Sequence, residues 1–231
     1  MNIIITGGTR GIGKEAVLLM ANDPDNKIIV TGRQDNALKN LSESAEFNNI
    51  IPFTLDFTSL NTQNQVFKDF VTGHFKNIDI LINNAGALTS KKFIDISETE
   101  TREMLEVNFL APATIIRTLL PLMKPGAHII NIGSMGGFQG STKYEGLSIY
   151  SASKAALANL TECLAEEFKD LGIKVNCLAL GSVQTEMVTE AFPGYKAPLK
   201  PEEMAEFIVD FALNGNKYFN GKILPVALNN P

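Results

Sequence analysis

Tyr150 and Lys154 stand four residues apart in Tyr150-Ser151-Ala152-Ser153-Lys154. On a helix that spacing sets both side chains on one face, side by side. A free phenol, with a pKa near 10, exchanges protons poorly at neutral pH. An ammonium held beside it favours the phenolate and draws the phenol towards the working range. Ser134 ends the strand-like run Ile129-Ile130-Asn131-Ile132-Gly133-Ser134, so its hydroxyl falls where open α/β sheets bind ligands. Such a set can hold an oxygen and exchange a proton with it, although a lone Tyr/Lys pair also arises by accident on a surface helix. Tyr144 has Ser148, not a cation, four positions on, and is no rival for that role.

A second pattern binds rather than reacts. The run Ile3-Ile4-Ile5 leads into Thr6-Gly7-Gly8-Thr9-Arg10-Gly11-Ile12-Gly13 and then a helical stretch. Glycines there permit a sharp turn and close backbone approach to a pyrophosphate, while the following helix aims free N–H groups at the anion. After the second strand, where an NAD site usually carries an acid for the ribose hydroxyl, the chain reads Val30-Thr31-Gly32-Arg33. Guanidinium groups at Arg10 and Arg33 suit the extra phosphate of NADP, so NADP(H) is expected over NAD(H). As solvated surface arginines they would carry no such meaning. Asp35 reads as the cap of the next helix.

Elements able to position these groups alternate along the chain. Apolar runs at 3–5, 27–31, 50–55, 78–82, 128–132, 173–178 and 223–226 predict strands buried on both faces. Amphipathic stretches at 12–21, 36–47, 60–75, 98–122, 151–171 and 202–213 predict helices between them. Segments 136–148 and 182–199, rich in Gly and Pro, read as loops. The pattern is an α/β doubly wound parallel sheet of about seven strands with helices on both faces, a single Rossmann domain over residues 1–231.

Composition narrows the partners. The chain has 231 residues, a net charge of −5, 45% hydrophobic and 19% charged residues, which excludes a disordered chain and argues against a nucleic-acid backbone binder. No uninterrupted apolar run approaches a membrane span, and the N-terminus carries no signal pattern. Cys163 and Cys177 lack metal-ligand spacing, so no metal is expected, and reduced thiols in a cytoplasmic protein fit best.

Taken together, the glycine turn, Asp56 after the third strand, Asn83-Asn84-Ala85-Gly86, Asn108, Ser134 and the Tyr150/Lys154 pair agree in type, order and spacing with one family. The chain resembles a short-chain dehydrogenase/reductase of the compact branch, similar to 3-oxoacyl-(acyl carrier protein) reductase-like carbonyl reductases. The resemblance implies an oxidoreductase that moves a hydride between NADP(H) and a carbonyl or secondary alcohol. It implies that Tyr150 is general acid and base, that Ser134 polarises the oxygen, and that Lys154 holds the nicotinamide ribose and lowers the Tyr150 pKa. Asn108 would hold a proton-relaying water. Asp56 and Phe57 would meet the adenine, with Asn83, Ala85 and Gly86 along the adenosine. Gly181, Val183 and Thr185 would meet the carboxamide and phosphates. Leu180-Gly181 departs from the usual Pro-Gly, which loosens that turn.

The expected substrate-cleft residues are Leu88, Met135, Phe138, Tyr144, Leu147, Phe192 and Tyr195, mostly apolar and without a carboxylate-binding arginine. They suit a medium-sized apolar ketone or a 3-oxoacyl thioester, while Phe192 and Tyr195 would also serve to pack a loop hinge. Relatives associate through the helices bearing Asn108 and the Tyr–Lys pair, so a homodimer or homotetramer is expected. A non-catalytic NADP(H)-binding regulator is the alternative function, but it would predict erosion of Tyr150, Lys154 or Ser134, and all three are present.

Overall fold

A computed structural model describes residues 1–228; positions 229–231 of the expected domain lie outside the described residues. Seven parallel strands form one sheet: β1 (Asn2–Thr6), β2 (Lys27–Gly32), β3 (Ile50–Thr54), β4 (Ile78–Asn83), β5 (Met123–Ser134), β6 (Lys174–Leu180) and β7 (Ile223–Val226). Their order is β3-β2-β1-β4-β5-β6-β7, so crossovers leave β1 and β4 in opposite directions. A crevice opens at that reversal, above the carboxyl ends of the strands. This is the doubly wound sheet that the apolar runs predict.

Alternation along each strand makes two cores. Ile3, Ile5, Val30, Ile82 and Ile130 face one side, with Val17 and Met20 of α1 (Gly11–Ala21) and Ile208 of α8 (Pro201–Asn214). Ile4, Ile29, Leu81 and Ile129 face the other, against Phe67 of α3 (Leu60–His74), Ile115 of α5 (Ala111–Leu119) and Ala165 of α6 (Ser148–Glu167). Both faces are covered, which is why the strands read as continuous Ile/Val runs.

The helix expected at 98–122 is broken. It forms α4 (Glu98–Leu105), a π turn over Glu106–Leu110, α5 and a short 3₁₀ turn at Leu120–Leu122. By length and composition Glu98–Leu122 could cross a membrane, yet it lays Ile115, Ile116 and Leu119 fully into the core. Strand β5 starts at Met123, ahead of the expected 128–132, with a register shift between Ile78 and Ile80 on β4. Helix α2 (Asp35–Glu43) stops short of 47, and Asp35 is its first residue rather than its cap; Gln34 holds that place. The Thr54 hydroxyl donates to the Asp35 carboxylate instead. The expected loop 182–199 contains one helix, α7 (Glu186–Ala191), capped by Thr185 Oγ1 accepting from Val188 N at 3.3 Å.

One buried polar knot ties the far edge of the sheet. His128 on β5 donates from Nδ1 to Ala212 O at 3.1 Å, and its Nε2 accepts from Asn176 Nδ2 at 3.1 Å. Asn176 also donates to Phe219 O at 3.1 Å and accepts from Lys222 N at 3.1 Å, anchoring the entry to β7. Desolvation drives the His128 pKa down to about 4. The folded state therefore holds His128 neutral where the unfolded chain, titrating near 6.5, takes up a proton. Stability is full above that value and falls as pH drops from 6.5 towards 4, by about 3 kcal/mol. Urea midpoints measured between pH 8 and pH 4 should decline over that window, and His128→Gln should flatten the decline.

Candidate active site

The site begins where β1 ends. After Thr6 the backbone turns through Gly7, whose φ is +68°, and a Cβ there would stand 2.7 Å from Ala85 Cα. Gly13 is as constrained: its Cβ would lie 2.3 Å from Asn84 Nδ2 and 2.4 Å from Gly7 O. No side chain fits at either position without moving backbone. The turn after β4 supplies the clamp. Asn84 Nδ2 donates to Thr6 O at 3.0 Å and Gly7 O at 2.9 Å, while Thr6 Oγ1 accepts from the amides of Asn84 and Ala85 at 3.0 and 3.1 Å.

Helix α1 opens from this turn with no cap of its own. Its N-cap residue, Arg10, makes no side-chain hydrogen bond there, and the first turn holds no acid. Free N–H groups and the positive end of the helix dipole face outward, a ready cradle for phosphate.

Beyond the turn lies a cleft of about 720 Å³ along the carboxyl ends of the strands. Its walls bring together Gly7, Thr9, Arg10, Gly11, Ile12, Gly13, Arg33, Asp56, Phe57, Ala85, Gly86, Leu88, Ser134, Tyr150, Lys154, Gly181, Val183 and Thr185. Arg33 is exposed at the end of β2 and makes no ion pair among the described residues. Asp56 also caps the next turn, accepting from Thr58 N at 3.0 Å and Thr58 Oγ1 at 2.8 Å through Oδ1.

Helix α6 starts at Ser148, earlier than expected, so Tyr150 and Lys154 share its first turns and both face the cleft. Lys154 is buried, with Nζ donating to Ile132 O at 2.8 Å. Burial lowers its pKa to about 8. The Tyr150 phenol is pushed above its usual value, again by burial, with the Ser134 hydroxyl pulling the other way. Loss of water around the phenolate is the larger of these two effects, and the Lys154 ammonium gives its hydrogen bond to the strand carbonyl.

Eight expected site residues stand apart from the cleft walls. Asn83 and Asn108 are buried behind them. Asn83 is the last residue of β4, and its Nδ2 donates to Asn131 Oδ1 at 2.8 Å. Asn84, missed by the sequence reading, is the one that faces the turn. Strand alternation is the signal: consecutive residues point to opposite faces.

Asn108 holds the loop after β4. Its Oδ1 accepts from Ala87 N at 2.8 Å, and its Nδ2 donates to Ala87 O at 2.8 Å and Ser153 Oγ at 2.9 Å. Both amide hydrogens are committed, while Oδ1 keeps a second acceptor position. Gly86 passes beside it: a Cβ there would lie 3.4 Å from Asn108 Oδ1 and 3.6 Å from Lys154 Nζ.

Met135, Phe138, Tyr144 and Phe192 also lie outside the walls, as do Leu147 and Tyr195. Met135 is buried, Tyr144 is exposed, and Phe192 packs edge-on to Tyr195 with ring centroids 6.5 Å apart. Segment 138–143 curls on itself, with Ser141 Oγ and Lys143 Nζ both donating to Phe138 O, at 2.9 and 2.7 Å. Thr89, Ser90, Glu103, Val107, Met187, Val188 and Ala191 form walls that the sequence reading did not foresee.

The short chain dehydrogenase family model matches residues 1–196. An uncharacterised oxidoreductase of Staphylococcus aureus is 30% identical over 219 residues, covering 94% of this chain and 92% of the relative. An NADP-dependent 3-hydroxy acid dehydrogenase of Schizosaccharomyces pombe is 33% identical over 227 residues, covering 91% and 86%. A short chain dehydrogenase of Burkholderia cenocepacia, solved in complex with NADP, shares the fold at a TM-score of 0.86 and 24% identity, over 97% of this chain and 95% of that one.

The clamp is open to a direct test. Asn84→Ala leaves the Thr6 and Gly7 carbonyls without their shared donor, a cost of about 1–3 kcal/mol. Urea denaturation should show that loss, and amide exchange should quicken through Gly7–Gly11 before it does elsewhere.

Proposed function

This chain belongs to the short-chain dehydrogenase family of oxidoreductases, and on that premise we propose that it transfers a hydride between NADP(H) and a carbonyl or secondary alcohol, with Tyr150 as general acid and base. One observation carries the reading: Ser134, Tyr150 and Lys154, from β5 and α6, meet in the same cleft as the uncapped glycine turn. The catalytic groups and the anion cradle are thus two ends of one site. Whole-chain unity over residues 1–231 is part of the proposal.

The residues present fit a dinucleotide. Positions 7 and 13 exclude any Cβ, which leaves the backbone of the turn bare for a pyrophosphate. Arg10 and Arg33 stand at the same end, and no acid follows β2 directly. That favours the 2′-phosphate of NADP over the plain ribose of NAD. When bound, the nicotinamide supplies the hydride, and the protein supplies position and protons.

Tyr150, its phenol raised and therefore protonated at neutral pH, is set to donate to a carbonyl oxygen during reduction. Ser134 stands beside it as the second hydrogen-bond partner for that oxygen. Lys154, near 8, is mostly cationic at pH 7. One of its three N–H donors is taken by Ile132 O, which leaves two for ribose hydroxyls. Its charge then favours the phenolate that proton donation leaves behind. Leu88, Met187, Val188 and Ala191 give part of the cleft an apolar lining. A largely apolar ketone or 3-oxoacyl thioester suits that lining.

Tyr150→Phe should leave NADPH binding nearly intact while turnover of a ketone panel falls roughly 10³–10⁴-fold. Comparable activity in the variant would remove Tyr150 from the mechanism. Tight NADPH binding without any turnover in the wild type would mark a cofactor-binding regulator instead. Arg33→Asp should raise the NADPH dissociation constant about tenfold or more, with little change for NADH. Equal effects on the two cofactors would place the 2′-phosphate elsewhere.

A further inference from the structure

Two carboxylates reach into the anion end of the cleft from a distant part of the chain. Glu186 and Glu190 are four residues apart on α7 and so share one face. That face is turned towards the glycine turn. A Cβ on Gly11 would lie 3.5 Å from Glu186 Oε2, and Glu190 Oε1 accepts from Arg10 Nη1 at 3.3 Å. Both glutamates line the same cleft as Arg10 and Arg33. The guanidinium read above as a 2′-phosphate ligand is thus already occupied by an acid.

We propose that Glu190 is a specificity-determining residue, competing with the 2′-phosphate of NADP for Arg10 and so restraining the preference for NADP over NAD. The proposal rests on the NADP reading above. A phosphate dianion approaching Arg10 must displace the Glu190 carboxylate or stand against its charge. A dinucleotide without that phosphate leaves the pair intact. The restraint therefore falls on one cofactor only. Glu186 differs, because it faces Gly11 at the start of α1, where any pyrophosphate would lie. Its charge opposes both cofactors alike and makes it an internal control.

The pair is exposed, with the Arg10 and Glu190 side chains at 47% and 68%. Water and salt screen it, so its removal is worth a small factor rather than a switch.

The test is equilibrium binding of NADPH and NADH to the full chain, followed by cofactor fluorescence without substrate. Glu190→Gln should tighten NADPH by about twofold to fivefold, the range of an exposed ion pair, and leave NADH unchanged. The gain should vanish when Glu190→Gln is made on an Arg10→Gln background, and shrink in high salt. Glu186→Gln should shift both cofactors by the same factor. A Glu190→Gln variant that changes both equally, changes neither, or weakens NADPH overturns the proposal. A wild type that binds NADPH and NADH equally overturns the cofactor reading and the proposal with it. A wild type that prefers NADPH, with no selective shift in the variant, overturns the proposal alone.

Discussion

The carbonyls of Thr6 and Gly7 both accept from one side chain, Asn84 Nδ2, and the rest of the site hangs from that clamp. It binds the turn after β1 to the turn after β4, the two strands between which the sheet changes direction. Contact this close leaves no room for a Cβ at Gly7 or Gly13. The start of α1 just beyond it is uncapped, so its first N–H groups are left over. A bare backbone donor array is costly in a folded protein unless water or a ligand meets it.

At the opposite end of the crevice, burial sets the chemistry. Helix α6 is held against the sheet by buried polar links. Asn131 Nδ2 donates to Thr161 Oγ1 at 2.9 Å, Thr161 donates to Leu157 O at 2.9 Å, and Ser153 joins Asn108 to the Tyr150 carbonyl. Those links fix the helix tightly enough to keep Lys154 in a site where its charge is disfavoured. A lysine titrating near 8 opposes folding of the protein below that pH, because the unfolded chain holds the proton more firmly. Cys177, buried on β6 with its thiol raised to about 12, adds no negative charge to relieve it. The fold therefore holds Lys154 in a buried site with a single hydrogen bond to the strand carbonyl of Ile132.

Features with local causes were legible in the sequence. Turn, strand and helix follow one another in residues 3–21, and the glycines mark the turn by type alone. Tyr150 and Lys154 needed only the period of a helix. Where a phase or a distant contact decides, residue types and spacing are silent. Asn83 against Asn84 turns on which residue of an identical pair is the last in the strand. The π turn at Glu106–Leu110 rotates Asn108 onto Ala87, a partner twenty-one residues back that no periodicity announces. Tyr144 and Phe138 stand outside the cleft walls, and segment 138–143 turns back on the Phe138 carbonyl. Burial of the Tyr150 phenol is likewise a property of the packed state, which residue spacing does not announce.

The division between what was legible and what was not follows the division of labour in the crevice. Ser134, Tyr150 and Lys154 sit on β5 and α6, elements locked by the core, so the whole fold enforces their positions. The wall formed by Met187, Val188 and Ala191 belongs to α7, in a segment closed on itself by Gln184. Gln184 N donates to Leu199 O at 2.8 Å, Ala197 N donates to Gln184 Oε1 at 2.7 Å, and Val183 bridges Leu199. Pinned at its base and joined to the glycine turn by one exposed ion pair, α7 is free to vary in sequence without disturbing the sheet. The outer wall of the cleft and its link to the glycine turn thus meet on a single short helix, while Ser134, Tyr150 and Lys154 stay on elements locked by the core.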